Sequence, residues 1–350
     1  MAALLAVAMM LQMLPMLAFA DDAPDAYAVM NKRTGTYYTS LKDAVTAAQS
    51  GDTIILGEGN YTLYKIDSTK TTKGKNLTFE GKGPDVTAWN IGDKVPDPAN
   101  FGTEYNGDYS FDGAGTVTFK NMTLRSGNAN YLGFIRANNT VVDHCVINGK
   151  TFYWGYESAV FNNTIFNAPS GDYAIWTYSS PIMTFDTCTF NASGKVINVY
   201  TDYSAGSHDI TVNFNNCTVN SRFSPNVGDH DKTALNINDS NMGNYKYIIN
   251  IKDPNVTAAR DTMTCSQVFG FGGNAAKNSG RTEVHWNDKP VWKEGKMQTH
   301  SYTDGEHDKA FTYTPSEWKK FDERNEWRDV TTPCAACPRE VVSQQAAASV

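Results

Sequence analysis

Five seven-residue segments recur through the middle of the chain and align without a gap: Phe119–Arg125, Val142–Asn148, Phe161–Asn167, Phe185–Asn191 and Phe214–Asn220. Their first residues are 23, 19, 24 and 29 positions apart. A self-similar unit of roughly 20 to 30 residues marks a solenoid, in which each repeat is one coil that buries its apolar side only against its neighbours. Position one is bulky and apolar in every copy and so is position six, while position four is Met122, Cys145, Thr164, Cys188 and Cys217. Positions one, four and six are therefore expected to face inward around a turn at positions two and three. Position seven is Asn148, Asn167, Asn191 and Asn220 in four of the five copies. Asparagine tolerates the left-handed backbone of tight turns, and its amide can stack into a ladder along the axis. Weaker copies at Leu77–Phe79, Ala234–Asn238 and Tyr247–Ile251 extend the pattern in both directions.

Ahead of the repeats, Leu41, Ala44, Val45 and Ala48 share one helical face, with Ser40 as N-cap, Asp43 three residues later, and Gly51 expected to end the helix. Asp52-Thr53-Ile54-Ile55-Leu56 then reads as a short strand, followed by a glycine turn that ends in Tyr61. This succession resembles the N-terminal cap of pectin-lyase-like right-handed β-helix proteins. The resemblance implies an all-β, right-handed parallel β-helix over residues 21–292, with a capping helix near 40–50 plugging the first coil. It spans roughly Tyr37 to Trp292.

Residues 1–20 are almost unbroken apolar and end in Ala18-Phe19-Ala20 before Asp21-Asp22, which reads as a secretory signal peptide cleaved after Ala20. A membrane anchor is the competing reading, against which Pro15 and the small-x-small ending argue. No lysine or arginine opens the run, which points to a start further upstream or to a fragment. No other stretch approaches the roughly 18 apolar residues that span a bilayer. The expected location is secreted or at a cell surface. The net charge of -7 disfavours nucleic acid as a partner, since phosphate binding needs clustered Lys and Arg. After residue 292 the composition turns charged and aromatic (293–333), and a low-complexity tail (334–350) carries Cys334 and Cys337. That pair is half of a zinc site, and in an exported chain reads sooner as a disulfide.

Chemistry is less plainly written than stacking. Cys145, Cys188 and Cys217 share one inward position, where free cysteine packs as a small hydrophobe; Cys188 and Cys217, on successive coils, are also close enough in sequence pattern to bridge. Asp143-His144-Cys145 resembles the Ile-Asp-His stretch of pectate lyases, which implies an aspartate near calcium-binding acids. The plain alternative is a polar turn, because Asn162-Asn163, Asp186-Thr187 and Asn215-Asn216 fill the same places. Asp229-His230-Asp231 lies in the densest ionisable cluster of the solenoid, suited to a metal or to acid-base work, or simply a solvated loop. The paired aspartates, Gly-His-Gly and Arg-x-Lys that polygalacturonase-like hydrolases hold near one another are not found intact in the repeats. Tyr153, Trp154, Tyr156, Tyr173, Trp176, Tyr178, Tyr200 and Tyr203 crowd three successive coils, and those facing outward would stack on sugar rings. Asn-x-Ser/Thr sequons recur, and in a eukaryotic secretory chain would suggest glycosylation; several coincide with the repeat, and those read as ladder and strand chemistry.

The leading expectation is a noncatalytic, adhesin-like surface rod that binds polysaccharide or a host or cell-surface glycan. It resembles the β-helical modules of Gram-positive bacterial surface proteins, and it needs no cofactor. The rival is a lyase or hydrolase of acidic polysaccharide, with Asp143 plus Asp186 or Asp172 on calcium and Arg136 or Lys195 as base. A ligand-free spacer is the third.

Overall fold

The computed structural model describes residues 29–63, 68–90, 94–97, 102–105, 111–125, 135–149, 155–168, 175–176, 181–192, 197–199, 209–221, 235–238, 246–252, 255–258, 269–272, 281–286, 288–294, 296–297, 300–303 and 308–311. The signal-peptide reading, the segment around Asp229 and the Cys334–Cys337 pair all lie outside them.

The chain winds as a right-handed parallel β-helix, the hand that a twisted parallel crossover favours. Three sheets run along it. The longest has thirteen strands; its parallel part is Asp52–Leu56, Leu77–Glu80, Thr116–Lys120, Asn139–Asp143, Ser158–Asn162, Ile182–Asp186, Ile210–Asn215, Tyr247–Lys252 and Thr282–Trp286. A second sheet of eight strands, from Gly59–Thr62 to Asn255–Ala258, takes the next segment of each coil. A third stacks Ile175–Trp176, Ile197–Val199, Leu235–Asn238 and Phe269–Gly272.

Alternation along each strand builds the core. Position one is buried in all five repeats (Phe119, Val142, Phe161, Phe185, Phe214), as are Leu124, Ile147, Phe166 and Phe190 at position six. Equivalent rings stack coil upon coil. Phe185 lies 4.9 Å from Phe161 at 8° and 5.1 Å from Phe214 at 14°, and Phe166 lies 4.9 Å from Phe190 at 11°. Between the two stacks the rings meet edge to face, as Phe161 does with Phe166 at 64°.

The corner joining the first two sheets differs from the expected one by a residue. Position two is the last residue of its strand and points outward, so the turn consists of positions three and four. Position three, not seven, carries the left-handed backbone: Asn121, His144, Asn163, Thr187 and Asn216 have φ of 52°, 51°, 47°, 54° and 51°. This reversal turns position four inward. There Cys145 Sγ–H meets the carbonyl of Phe119 on the preceding coil (3.6 Å) and that of Asp143 on its own (3.4 Å), and Cys188, Cys217 and the Thr164 hydroxyl each make the corresponding pair of contacts. The thiol and the hydroxyl thus add a second donor to position-two carbonyls that already accept the position-three N–H of the preceding coil, as Asp143 O does from Asn121 and Asp186 O from Asn163.

Position seven lies within the second sheet, where its side chains form the expected ladder. Asn167 Nδ2 donates to Asn148 Oδ1 at 2.9 Å, and Asn191 Nδ2 donates to Asn167 Oδ1 at 2.8 Å. Arg125 occupies the rung before Asn148 and donates to Asn90 and Asn60.

The capping helix spans Leu41–Ala47, with Asp43 N–H donating to Ser40 Oγ at 3.1 Å and with Leu41, Ala44 and Val45 buried. It ends before Gly51, at Ala48, whose backbone is extended. Antiparallel strands Val29–Asn31 and Thr36–Tyr38 close the long sheet at this end, and Lys289–Lys293 with Lys296–Met297 close it at the other. Beneath the first strand lies a buried polar knot: the Asp52 carboxylate accepts from Arg33 Nε (2.5 Å), Asn31 Nδ2 (2.6 Å) and Gln49 N–H (2.9 Å). No helix among the described residues is long and apolar enough to cross a membrane.

Candidate functional site

Because every second residue of the long sheet is buried, the residues between them form a continuous outer face. Its rows follow from the strand register. One row is Lys120, Asp143, Asn162, Asp186, Asn215 and Lys252; the next is Thr118, Val141, Val160, Thr184, Asn213, Asn250 and His285. Neighbours within a row stand one strand spacing apart, about 4.8 Å.

Toward the C-terminal end this face becomes an amide array. Asn213 Nδ2 donates to Thr184 Oγ1 at 3.2 Å, and Asn250 Nδ2 donates to Asn213 Oδ1 at 2.8 Å. Each amide is thereby oriented by its neighbour across two coil boundaries. His285 is the next rung, and its Nε2 lies 3.2 Å from Glu283 Oε2. The turn after Trp286 brings Asp288 over the edge of the sheet, with φ of 64°. The result is a cleft of about 360 Å³ lined by Asn213, Asn215, Asn250, Ile251, Lys252, His285 and Asp288. It presents amide donors and acceptors, one ammonium and one carboxylate. Half-exposed Ile182, one row over and level with Thr211, lies on the same outer face beyond the cleft lining.

The residues singled out by the Asp-His resemblance lie further along the same face. Asp143 Oδ1 is 2.7 Å from His144 Nδ1, and Oδ2 is 3.7 Å from Lys120 Nζ. His144 is the left-handed corner residue and is 61% exposed. Asp186 shares the row of Asp143 but Asn162 stands between them, leaving two strand spacings, about 9.6 Å. Calcium held at 2.3–2.6 Å by both carboxylates would need their oxygens within about 5 Å of each other. Asp186 Oδ1 instead accepts from the Thr187 hydroxyl at 2.9 Å. Arg136 precedes the strand Asn139–Asp143, whose whole length separates it from Asp143. No group of three or more His, Cys, Asp or Glu side chains suited to a metal occurs among the described residues.

Of the aromatic set, Tyr156 is exposed and donates its hydroxyl to Asp112 Oδ1 at 3.1 Å, in the turn that leads into Ser158–Asn162. The backbone of Trp176 pairs with Asn198 in the third sheet. The side chain of Trp176, together with Tyr153, Trp154, Tyr173, Tyr178, Tyr200 and Tyr203, lies outside the described residues, as do Asp172, Lys195, Asp229 and Asp231. Cys145 and Cys188 are poor nucleophiles. Burial pushes the Cys145 thiol up to about 12, and its neighbour Cys217 together with burial raises Cys188.

The amide array and cleft escape a reading of the repeats because the repeat is defined by its inward positions. The available signal was the alternation Ile210-x-Val212-Asn213-Phe214-Asn215 and Tyr247-x-Ile249-Asn250-Ile251-Lys252, which places the polar residues on one outer face.

No family model matches the chain, and no similar curated protein was found. A solved structure with a related chain trace is that of a pectin methylesterase mutant in complex with a hexasaccharide. It is 13% identical, with 82% of this chain and 84% of that chain covered at a TM-score of 0.35. So loose a superposition says nothing about the chemistry of the outer face.

Proposed function

We propose that this chain is a noncatalytic β-helical rod displayed outside the cell, adhesin-like, that binds polysaccharide along the outer face of its long sheet. The observation that carries the reading is the amide array of Thr184, Asn213 and Asn250 opening onto the cleft at Lys252, His285 and Asp288. Hydrogen-bonding groups repeated at one strand spacing suit a polymer whose hydroxyls also repeat. Amides serve such a polymer well, since each carries both donors and an acceptor. The export half of the proposal rests on the apolar run that ends at Ala20. Retention of the purified chain on immobilised polysaccharides tests the binding half. Asn213→Ala with Asn250→Ala is expected to weaken retention roughly 5- to 100-fold, about 0.5–1.5 kcal/mol for each hydrogen bond lost. Unchanged retention by the double variant refutes this face as the binding surface.

Cleavage of an acidic polysaccharide is the second reading, favoured by the 2.7 Å contact between Asp143 and His144 with Lys120 alongside. Release of new reducing ends, dependent on calcium and abolished by Asp143→Ala, would establish it in place of the first.

A further inference from the structure

We propose that Cys188 and Cys217 close a disulfide between two neighbouring coils when the chain folds in an oxidising compartment. The two residues occupy the same corner position on successive coils: the pairs Asp186↔Asn215 and Thr189↔Thr218 on either side fix them opposite each other. Both side chains turn inward and each is 1% exposed. Parallel neighbours stand about 4.8 Å apart, inside the 4.4–6.8 Å span over which a disulfide forms. Cys145 supplies an internal contrast. It has the same corner geometry and the same burial, but its neighbours along the row are Met122 and Thr164, so it has no thiol to pair with.

The chemistry is thiol–disulfide exchange with a dithiol-disulfide carrier or a small-molecule disulfide. One thiolate attacks the carrier's disulfide, forming a mixed disulfide and releasing one carrier thiolate. The second protein thiolate then displaces the other carrier sulfur, so two electrons and two protons pass to the carrier and one sulfur–sulfur bond joins the coils. Since the closed rod shields both sulfurs, exchange takes place before these coils finish stacking.

The full chain, denatured and reduced, is refolded in buffer containing oxidised and reduced glutathione. Remaining thiols are alkylated with iodoacetamide under denaturing conditions, and the product is digested with trypsin. Cleavage after Arg136, Lys150, Lys195 and Arg222 puts Cys145, Cys188 and Cys217 on three separate peptides. The expected result is peptide 151–195 linked to peptide 196–222, with Cys145 alkylated. Recovery of Cys188 and Cys217 both alkylated, or either of them linked to another cysteine, overturns the proposal. A second measurement uses Cys188→Thr and Cys217→Thr, which borrow the residue that Thr164 naturally places in this position. Added reductant is expected to lower the Tm of the wild type and to leave both variants unmoved; an equal response in all three overturns it.

Discussion

Thr187 is the one β-branched residue among the five left-handed corners of the repeat, at φ of 54°. An L-residue in that region costs about 1–2 kcal/mol, and Asn pays less because its short amide bonds locally. Thr187→Asn is therefore expected to stabilise the rod by about 0.5–1 kcal/mol, read as a Tm higher by roughly 1–3 °C in thermal unfolding. Asp52 acts in the opposite sense. The hydrogen bond from the Arg33 guanidinium, helped by the Gln49 N–H and the Asn31 amide, holds its carboxyl below the ordinary carboxylate range against the opposing effect of burial. A carboxyl depressed on folding contributes stability that is present above its unfolded value, near 3.9, and lost as the pH falls below it. Wild-type Tm is expected to fall steeply below about pH 4, and Asp52→Asn to lower Tm at pH 7 while flattening that acid limb. An unchanged acid limb in the variant would place the sensitivity elsewhere.

At the level of the element, the aromatic stack is the main lateral glue between coils. Phe185 is stacked on both sides and meets Phe166 and Phe190 edge to face, so Phe185→Ala is expected to cost about 3–5 kcal/mol by denaturant unfolding. These contacts were legible in the sequence, because a bulky residue recurring at one phase of a solenoid has nowhere to go but inward. The asparagines were legible only in part. Asn163 and Asn216 are needed for a left-handed backbone, whereas Asn148, Asn167 and Asn191 are needed for side-chain hydrogen bonding, and the two demands leave the same letter. The binding face was less legible still. Asn213 and Asn250 are 37 residues apart, and an outward polar residue in a strand looks like ordinary solvation until the register brings it beside its partner.

For the whole molecule, the ends matter as much as the stack. Thr282–Trp286 is covered by the antiparallel return Lys289–Lys293, so the last parallel strand offers no open edge to a second rod. Truncation after Trp286 is expected to produce concentration-dependent self-association in sedimentation, where the longer chain stays a single species. A different economy governs the length of each coil. From the strand pair Thr116–Lys120 and Thr123–Arg125 to the pair Tyr247–Lys252 and Asn255–Ala258, two residues join the long sheet to the second in each coil, while the return path to the next coil varies from nine residues (149–157) to twenty-five (222–246). A Gly-Ser-Gly insertion within 222–234, ahead of the third-sheet strand Leu235–Asn238, is accordingly expected to leave Tm nearly unchanged. One residue inserted between Thr187 and Cys188 would exchange inner and outer faces of the strand that follows, and is expected to abolish cooperative unfolding. The rod keeps time on one edge and improvises on the opposite one. New surface can accumulate along the improvising edge through insertion and deletion while the beat that aligns phenylalanine with phenylalanine, and amide with amide, is never lost.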